Sequence, residues 1–389
     1  MKKQILFVID SLQCGGAEKS LVSLLQLIDF SKYEIDLLIH DTKRSKHVGL
    51  FEQYIPSAVN APEFQIFGKS IVDRIRKFLY YLRLSPQLRL NHSRHGSEIY
   101  WRSAHYDHKV LEKHYDVAIA YQQGIPTFYV ATKVNADKKI AWINANLYNE
   151  GYDMDYCKPF YDKMDKVVAV SSGLVTILSE RSPWIKDKLV CIYDIVNPAL
   201  IKQMAQEPID DERFSGEEIK LVTVGRLAPP KNHLLAVETA RILRDKNVKF
   251  KWYFVGDGPT RGSIEKSINE YGLQNHVILL GLKGNPYPYI KNADIYVQTS
   301  SHEGFCLTLA EARVLCRPIV STNFDVVYDQ ITDHQNGLIA EMTPEKVADC
   351  ILNLLNDSSL RDSLILHLEK EQNNTSVTEI EKFYTLVER

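Results

Sequence analysis

Short runs of β-branched and aromatic residues alternate along the chain with stretches whose apolar positions recur at helical spacing. The runs in the first half are Ile5 to Ile9, Ile35 to Ile39, Val117 to Ala120, Lys139 to Ile143, Val167 to Val170 and Leu189 to Ile192. The rhythm restarts with Lys220 to Val224, Lys251 to Val255, Val277 to Leu280, Ile295 to Thr299 and Pro318 to Ser321, with helical patterns such as Leu234 to Leu243 between them. Uninterrupted apolar runs belong to strands covered on both faces. The pattern therefore predicts the α/β class, with parallel sheets flanked by helices.

Each half opens on one plan: an apolar strand, a turn-rich loop, then an amphipathic helix. Between the halves, the stretch from Asn197 to Glu218 has little periodicity and carries Pro198, Pro208, Asp210, Asp211, Glu212, Ser215 and Gly216, which predicts a linker. The expected organisation is a first doubly wound domain over 1–197, a linker over 198–218, a second doubly wound domain over 219–376 and a C-terminal helix over 377–389, after the polar Asn373-Asn374. The pattern of that last helix allows it to close the second domain or to cross back to the first. Ligands of such sheets sit at the carboxyl ends of the strands, so two facing domains would hold one in a central cleft.

Composition narrows the classes. With 389 residues, 45% of them apolar and 10% aromatic, the chain has material for sizeable cores, which excludes a single small module and global disorder. Lys plus Arg number 47 against 49 Asp plus Glu, so the net charge of -2 gives no bulk attraction to nucleic acid or membrane. Up to Asn197 there are 26 Lys/Arg and 22 Asp/Glu, leaving 21 and 27 beyond it, so the halves carry +4 and -6. Six cysteines (Cys14, Cys157, Cys191, Cys306, Cys316, Cys350) lie scattered without a C-x-x-C pair, which reads as reduced thiols in a reducing compartment, with neither disulfides nor zinc. Lys2-Lys3 precede an apolar run that Asp10 interrupts, so the start reads as a first strand and not a signal peptide. No run of 18 apolar residues predicts a transmembrane helix.

Three loops carry candidate chemistry. In the first, Gly15-Gly16 lie between strand one and a helix with apolar Leu21, Leu24, Leu25 and Ile28. Adjacent glycines let backbone approach a ligand and present N–H groups at a helix start, where a phosphate binds well; a plain tight turn is the alternative. A P-loop needs Gly before its Lys-Ser pair, where this chain has Glu18, and a dinucleotide fingerprint needs G-x-G-x-x-G, which is absent. In the second, Gly225-Arg226 and Lys231 follow a strand end. A forked guanidinium and a compact ammonium suit a diphosphate, and two solvated cations are the alternative. In the third, Glu303-Gly304-Phe305-Cys306-Leu307-Thr308-Leu309-Ala310-Glu311 sets two carboxylates eight positions apart around a glycine turn and a helix start. Either Thr308 and Glu311 form a capping box, or the turn holds a diphosphate while both carboxylates accept hydrogen bonds from sugar hydroxyls.

These pieces occur together and in order. Gly15-Gly16, Gly225-Arg226 with Lys231, Val255-Gly256-Asp257-Gly258-Pro259, Gly281 with Asn285-Pro286, Ala293-Asp294, the E-x7-E pair Glu303/Glu311, Arg317-Pro318-Ile319-Val320-Ser321 and Asn336-Gly337-Leu338 make the chain resemble the family-4 glycosyltransferases over almost its whole length. The resemblance implies the GT-B fold of two Rossmann-like domains, the second binding a nucleoside diphosphate sugar, a UDP-sugar or in the alternative a GDP-sugar. It implies that Arg226 and Lys231 hold the diphosphate, that Glu311 binds the ribose, and that Glu303 contacts the transferred sugar with the backbone of Gly304, Phe305, Cys306, Leu307 and Thr308 nearby. Gly15, Gly16 and Gly225 would approach the phosphates, and Gly281-Leu282-Lys283 the nucleobase. Many relatives carry His after a Trp-Ile pair, but here Trp142-Ile143 is followed by Asn144, which can hydrogen-bond a sugar hydroxyl but cannot carry a positive charge.

From Lys69 to Arg94 the chain holds Lys69, Arg74, Arg76, Lys77, Arg83, Arg89 and Arg94 against Asp73 alone, interleaved with Ile71, Val72, Ile75, Phe78, Leu79, Tyr81, Leu82, Leu84 and Leu88. Such a segment suits an anionic membrane surface, or a core-packed helix with a solvated basic face. No nucleic-acid recognition motif accompanies it. The resemblance favours the membrane, with Arg74, Arg76, Lys77 and Arg83 at a lipid-linked glycan acceptor and a cytoplasmic protein peripheral on the plasma membrane.

The implied reaction is retaining, hexosyltransferase-like sugar transfer in bacterial surface polysaccharide synthesis, without an obligatory metal or cofactor. Three alternatives stand beside it: a nucleotide-sugar epimerase of the same fold, a glycosyl phosphorylase, and a non-catalytic nucleotide-sugar-binding protein derived from a transferase.

Overall fold

The computed structural model describes residues 2–12, 15–40, 51–62, 71–90, 94–104, 108–371 and 375–389; Cys14, Lys69, Asn373 and Asn374 lie outside them. The chain divides into two units. Unit 1 is Met1–Ile195 with Glu379–Arg389, and unit 2 is Val196–Thr378.

Unit 1 is built on strands β1 (Lys3–Ile9), β2 (Tyr33–Ile39), β3 (Val59–Asn60), β4 (His114–Ala120), β5 (Asn135–Ile143), β6 (Lys166–Ala169) and β7 (Leu189–Cys191), in the order β3-β2-β1-β4-β5-β6-β7. Every pairing is parallel, with Ile5 opposite both Ile35 and Val117. The continuous apolar run of β1 follows from this central place: Ile5 to Ile9 are buried because helices cover both faces.

Unit 2 repeats the architecture with β8 (Ile219–Val224), β9 (Phe250–Val255), β10 (Val277–Gly281), β11 (Ile295–Gln298), β12 (Ile319–Thr322) and β13 (Leu338–Ala340), in the order β10-β9-β8-β11-β12-β13, again parallel. Its core joins Trp252 and Phe254 of β9 to Leu235, Val237 and Leu243 of helix His233–Asp245 and to Val347, Ile351 and Leu354 of helix Pro344–Asn356. In each sheet the order reverses beside the first strand, between β1 and β4 and between β8 and β11. That switch point is where open α/β sheets take their ligands.

The expected linker over 198–218 is corrected. Pro198–Met204 is a helix, capped by the Asn197 side chain accepting from Leu200 N at 3.2 Å. The segment after it is tied to unit 2: Asn285 Nδ2 donates to the Met204 carbonyl at 2.8 Å, and Asp211 pairs with Lys283 at 2.9 Å and with Arg213 at 2.6 Å. The residues that break periodicity there are satisfied by tertiary partners.

The C-terminal helix, Thr375–Glu388, belongs from Glu379 onward to unit 1. Its Phe383 stacks on Phe7 of β1 with centroids 6.1 Å apart, and Glu379 accepts from Tyr193 N at 2.8 Å.

Candidate active site

In unit 2 the loop after β8 is shaped by a close approach. Gly256 has φ 150°, and a Cβ there would collide with the Gly225 carbonyl, so only glycine fits. The nested loops are tied by Leu227 N to Asp257 O and Thr260 N to Leu227 O, both 3.0 Å. Further on, the turn Pro229–Lys231 is pinned to the exit of β11, because Ser301 N donates to Pro230 O at 2.8 Å and Thr299 Oγ1 to Lys231 O at 3.1 Å.

This pinning brings Lys231 Nζ to 2.5 Å from Glu303 Oε1. Burial alone would lower the lysine's pKa; the neighbouring acidic groups, Glu303 foremost, more than offset it, and the pKa lies above the ordinary value. Ser300 Oγ donates to the same oxygen at 2.6 Å and Gln298 Nε2 at 3.3 Å. Arg226, two positions past β8, is exposed and has no hydrogen bond or ion pair among the described residues; it is not brought onto this carboxylate.

The helix that follows Glu303 runs Leu307–Val314. The capping box of Thr308 and Glu311 does not form: Cys306 takes the cap position at φ 73°, and Thr308 turns its hydroxyl to Gln298 Oε1 at 3.4 Å. Gln330 Nε2 holds the turn by donating to the carbonyls of Phe305 and of Cys306, the latter at 3.2 Å. Burial pushes the Cys306 thiol up to about 12, so it stays protonated. Glu311 is buried and accepts from Tyr287 Oη at 3.0 Å. The first-turn N–H groups of Leu307 and Thr308 have no carbonyl one turn back, as at any helix start. Together with Lys231 they form a patch of positive partial charge just past Gly304. Gly281 ends β10 with its carbonyl accepting from Gly256 N at 2.9 Å, and Leu282 beside it is 41% exposed.

In unit 1, Gly15 is the cap of helix Gly16–Leu27 and offers no side-chain cap. Glu18 folds its carboxylate back over Gly15, where a Cβ would collide with it, and reaches Ser11 Oγ at 3.2 Å. Burial raises the Glu18 pKa to about 7. Asn144 follows β5; its Nδ2 donates to Tyr121 O at 2.9 Å, and its buried Oδ1 has no hydrogen bond among the described residues.

Arg74, Arg76, Lys77 and Arg83 lie exposed on helix Ile71–Leu90. Tyr80 and Leu84 face the protein, packed with Ile99. Helical spacing puts Ile71, Ile75, Phe78 and Leu82 in one stripe on the opposite face, 75%, 56%, 63% and 55% exposed. Arg76 and Arg83 flank that stripe on one side, Arg74 and Lys77 on the other. Among the described residues no helix is long and apolar enough to cross a membrane, and no three His, Cys, Asp or Glu side chains gather as a metal site would need.

Residues 205–370 match the family described as glycosyl transferases group 1. Over that stretch the chain is similar to the group 1 glycosyltransferases. Along almost its whole length, the chain is 24% identical over 368 residues to the N-acetylgalactosamine-N,N'-diacetylbacillosaminyl-diphospho-undecaprenol 4-alpha-N-acetylgalactosaminyltransferase of Campylobacter jejuni, covering 93% of this chain and 92% of that one. It is 30% identical over 172 residues to the poly(ribitol-phosphate) alpha-N-acetylglucosaminyltransferase of Staphylococcus aureus, covering 43% and 34%, and 25% identical over 199 residues to an uncharacterized glycosyltransferase of Methanocaldococcus jannaschii, covering 49% of each. The chain thus spans about half of the archaeal relative and a third of the staphylococcal one. Among solved structures, Anabaena HepE in complex with UDP-glucose has the same fold at TM-score 0.71 and 14% identity, covering 99% of each chain. A Rickettsia africae glycosyltransferase matches at TM-score 0.69 and 17% identity, over 100% and 98%. The fold of the chain is therefore GT-B, two Rossmann-like domains.

Sequence reasoning gave no role to Gln298, Ser300, Tyr287 or Gln330. For Gln298 a signal was present: it is a polar residue ending the otherwise apolar buried strand β11, and buried polar groups need a reason.

Proposed function

We propose that the chain transfers a sugar from a nucleoside diphosphate sugar to an acceptor hydroxyl with retention at the anomeric carbon, in bacterial surface polysaccharide assembly. The observation that carries the reading is the Lys231–Glu303 pair at 2.5 Å set against the start of helix Leu307–Val314. A cation and first-turn N–H groups suit a departing diphosphate, while a carboxylate accepts from a sugar hydroxyl and opposes an oxocarbenium-like charge.

In this reading Lys231 and Arg226 stabilise the leaving diphosphate, Glu303 holds the transferred sugar, and Glu311 accepts from the ribose. Gly281 and Leu282 border the nucleobase, and Gly225 approaches the phosphates. No side chain is assigned as a covalent nucleophile; the leaving phosphate takes the acceptor proton. Fixed charges do the work that a metal would otherwise supply. UDP-sugars are favoured because solved relatives of the same fold hold UDP or UDP-glucose. A lipid-linked acceptor is favoured by the undecaprenyl diphosphate substrate in the Campylobacter relative's name, and its alpha linkage favours retention. The exposed stripe of helix Ile71–Leu90 with its flanking cations supports docking on an anionic membrane.

The test is a panel of UDP-, GDP- and ADP-sugars, watching for slow hydrolysis and for transfer to membrane extract. One sugar nucleotide should be turned over without added metal. Lys231→Ala and Arg226→Ala should each lose about 2–4 kcal/mol of transition-state stabilisation. Turnover that both alanine variants leave unchanged, or that disappears with EDTA and returns with metal, overturns the assignment.

A further inference from the structure

Glu303 meets its cation on one oxygen only, and that oxygen is crowded. Lys231 Nζ at 2.5 Å, Ser300 Oγ at 2.6 Å and Gln298 Nε2 at 3.3 Å all donate to Oε1. No hydrogen bond reaches Oε2 from the described residues. An ionised carboxylate has about four lone-pair sites, so three donors on one oxygen leave its acceptor capacity on the other.

Gln298 is itself aimed. Its Oε1 accepts from Tyr296 Oη at 2.6 Å and from Thr308 Oγ1 at 3.4 Å, so its amide can turn only N–H toward Ser300 and Glu303. Its Nε2 donates to Ser300 Oγ at 2.6 Å, which leaves the serine hydrogen for Glu303. Tyr296, Gln298 and Ser300 are each no more than 1% exposed, so water does not compete for these bonds. Tyr296 and Gln298 stand two apart on one face of β11, and Thr308 stands in the first turn of the next helix.

We propose that Gln298 and Ser300 are positioning residues for sugar transfer: they turn the Glu303 carboxylate so that one oxygen is bound by Lys231 while the other accepts a hydroxyl of the transferred sugar. The proposal rests on Glu303 being the sugar contact. Lys231 is shared with the assigned diphosphate site, but Gln298 and Ser300 themselves make no assigned nucleotide contact. Loosening their network affects the sugar step and spares binding of the free nucleoside diphosphate.

Gln298→Met removes both amide roles at nearly constant volume. Ser300→Ala removes the hydroxyl, and Ser300→Thr keeps it. The readouts are kcat and KM for the sugar nucleotide that the panel selects, and the calorimetric Kd of UDP, or of GDP if a GDP-sugar is selected. A misplaced group typically costs about a hundredfold, so kcat should fall roughly tenfold to a hundredfold in Gln298→Met and Ser300→Ala. The nucleoside diphosphate Kd should stay within about twofold, since no assigned nucleotide contact is lost, and Ser300→Thr should recover most of kcat. Unchanged kcat in both variants overturns the proposal. So does a Kd that weakens in step with kcat, because general damage to the loop would do that. Glu303→Gln run in parallel separates the two levels: if it alone leaves kcat intact, the sugar-contact reading fails first.

Discussion

Asp194, in the loop after β7, is buried with Ser20 as its hydrogen-bonding neighbour, and its Oδ1 has no hydrogen bond among the described residues. Burial raises its pKa from 3.8 to about 7, against the smaller lowering by Ser20. The sign follows from linkage. The unfolded chain releases this proton near pH 4, the folded one only near 7, so the carboxyl lowers stability progressively across that interval and by a constant amount above it. Asp194→Asn should therefore be more stable than the parent at pH 8, by roughly 2–4 kcal/mol, with the gain vanishing near pH 4. Thermal unfolding at pH 4, 6 and 8 reads this directly, and a gain independent of pH would assign the effect to packing. At the same scale the motif residues divide. Asp294 closes the base of β8, accepting from Lys220 N at 2.7 Å, and Asn285 and Asn336 tie loops together. Lys231, Glu303 and Glu311 meet side chains instead: Lys231 Nζ donates to Glu303, and Glu311 accepts from Tyr287 Oη. The sequence shows that these residues recur in order, but not which of them spend their polar groups on backbone.

Strand-and-helix alternation was legible because central parallel strands are covered on both faces and so read as apolar runs; β1, β8 and β9 differ from the pattern by a residue or two at their ends. What escaped were short pieces. β3 has two residues and β13 three, too few for any period to register. Helix Pro198–Met204 is hidden by the prolines and acids around it, although Asn at the cap and Pro at the first helical position are start signals. Helix Ile71–Leu90 was legible in charge, but not in which way its apolar residues face. Its stripe of Ile71, Ile75, Phe78 and Leu82 points away from Tyr80 and Leu84, the reverse of a core-packed helix. Ile75→Asp with Phe78→Asp should abolish sedimentation with vesicles containing anionic lipid. Neutralising Arg74, Arg76, Lys77 and Arg83 should weaken it at low salt most, at about 1 kcal/mol per cation. Equal vesicle binding by parent and both variants would remove the helix from the membrane reading.

Unit 1 is assembled from the start and the end of the chain. Near its first strand, Phe383 is fully buried against Phe7 and Tyr384 stacks on Tyr33 at 5.6 Å, while Lys3 Nζ donates to Val387 O at 2.7 Å and Lys138 Nζ to Leu386 O at 2.6 Å. The amphipathic pattern of 377–389 could not reveal which sheet this face covers, since two similar sheets present similar apolar surfaces; the choice is made by these specific partners. The arrangement makes the stability of the first unit depend on residues that follow the second in sequence. Phe383→Ala should lower unit 1 by about 3–5 kcal/mol, the usual cost of emptying a buried aromatic site. Unit 2 keeps its own core of Trp252, Phe254 and Leu243 and loses nothing. Calorimetric unfolding with and without a saturating nucleoside diphosphate separates the two: in the proposed function Lys231, Glu311 and Gly281 of unit 2 hold the nucleotide, and a ligand raises the transition of the unit that binds it. The expected result is a unit 1 transition shifted down by several degrees and a ligand-sensitive transition left in place. If Phe383→Ala moved both transitions together, or neither, the last helix would not be a piece of the first unit's core.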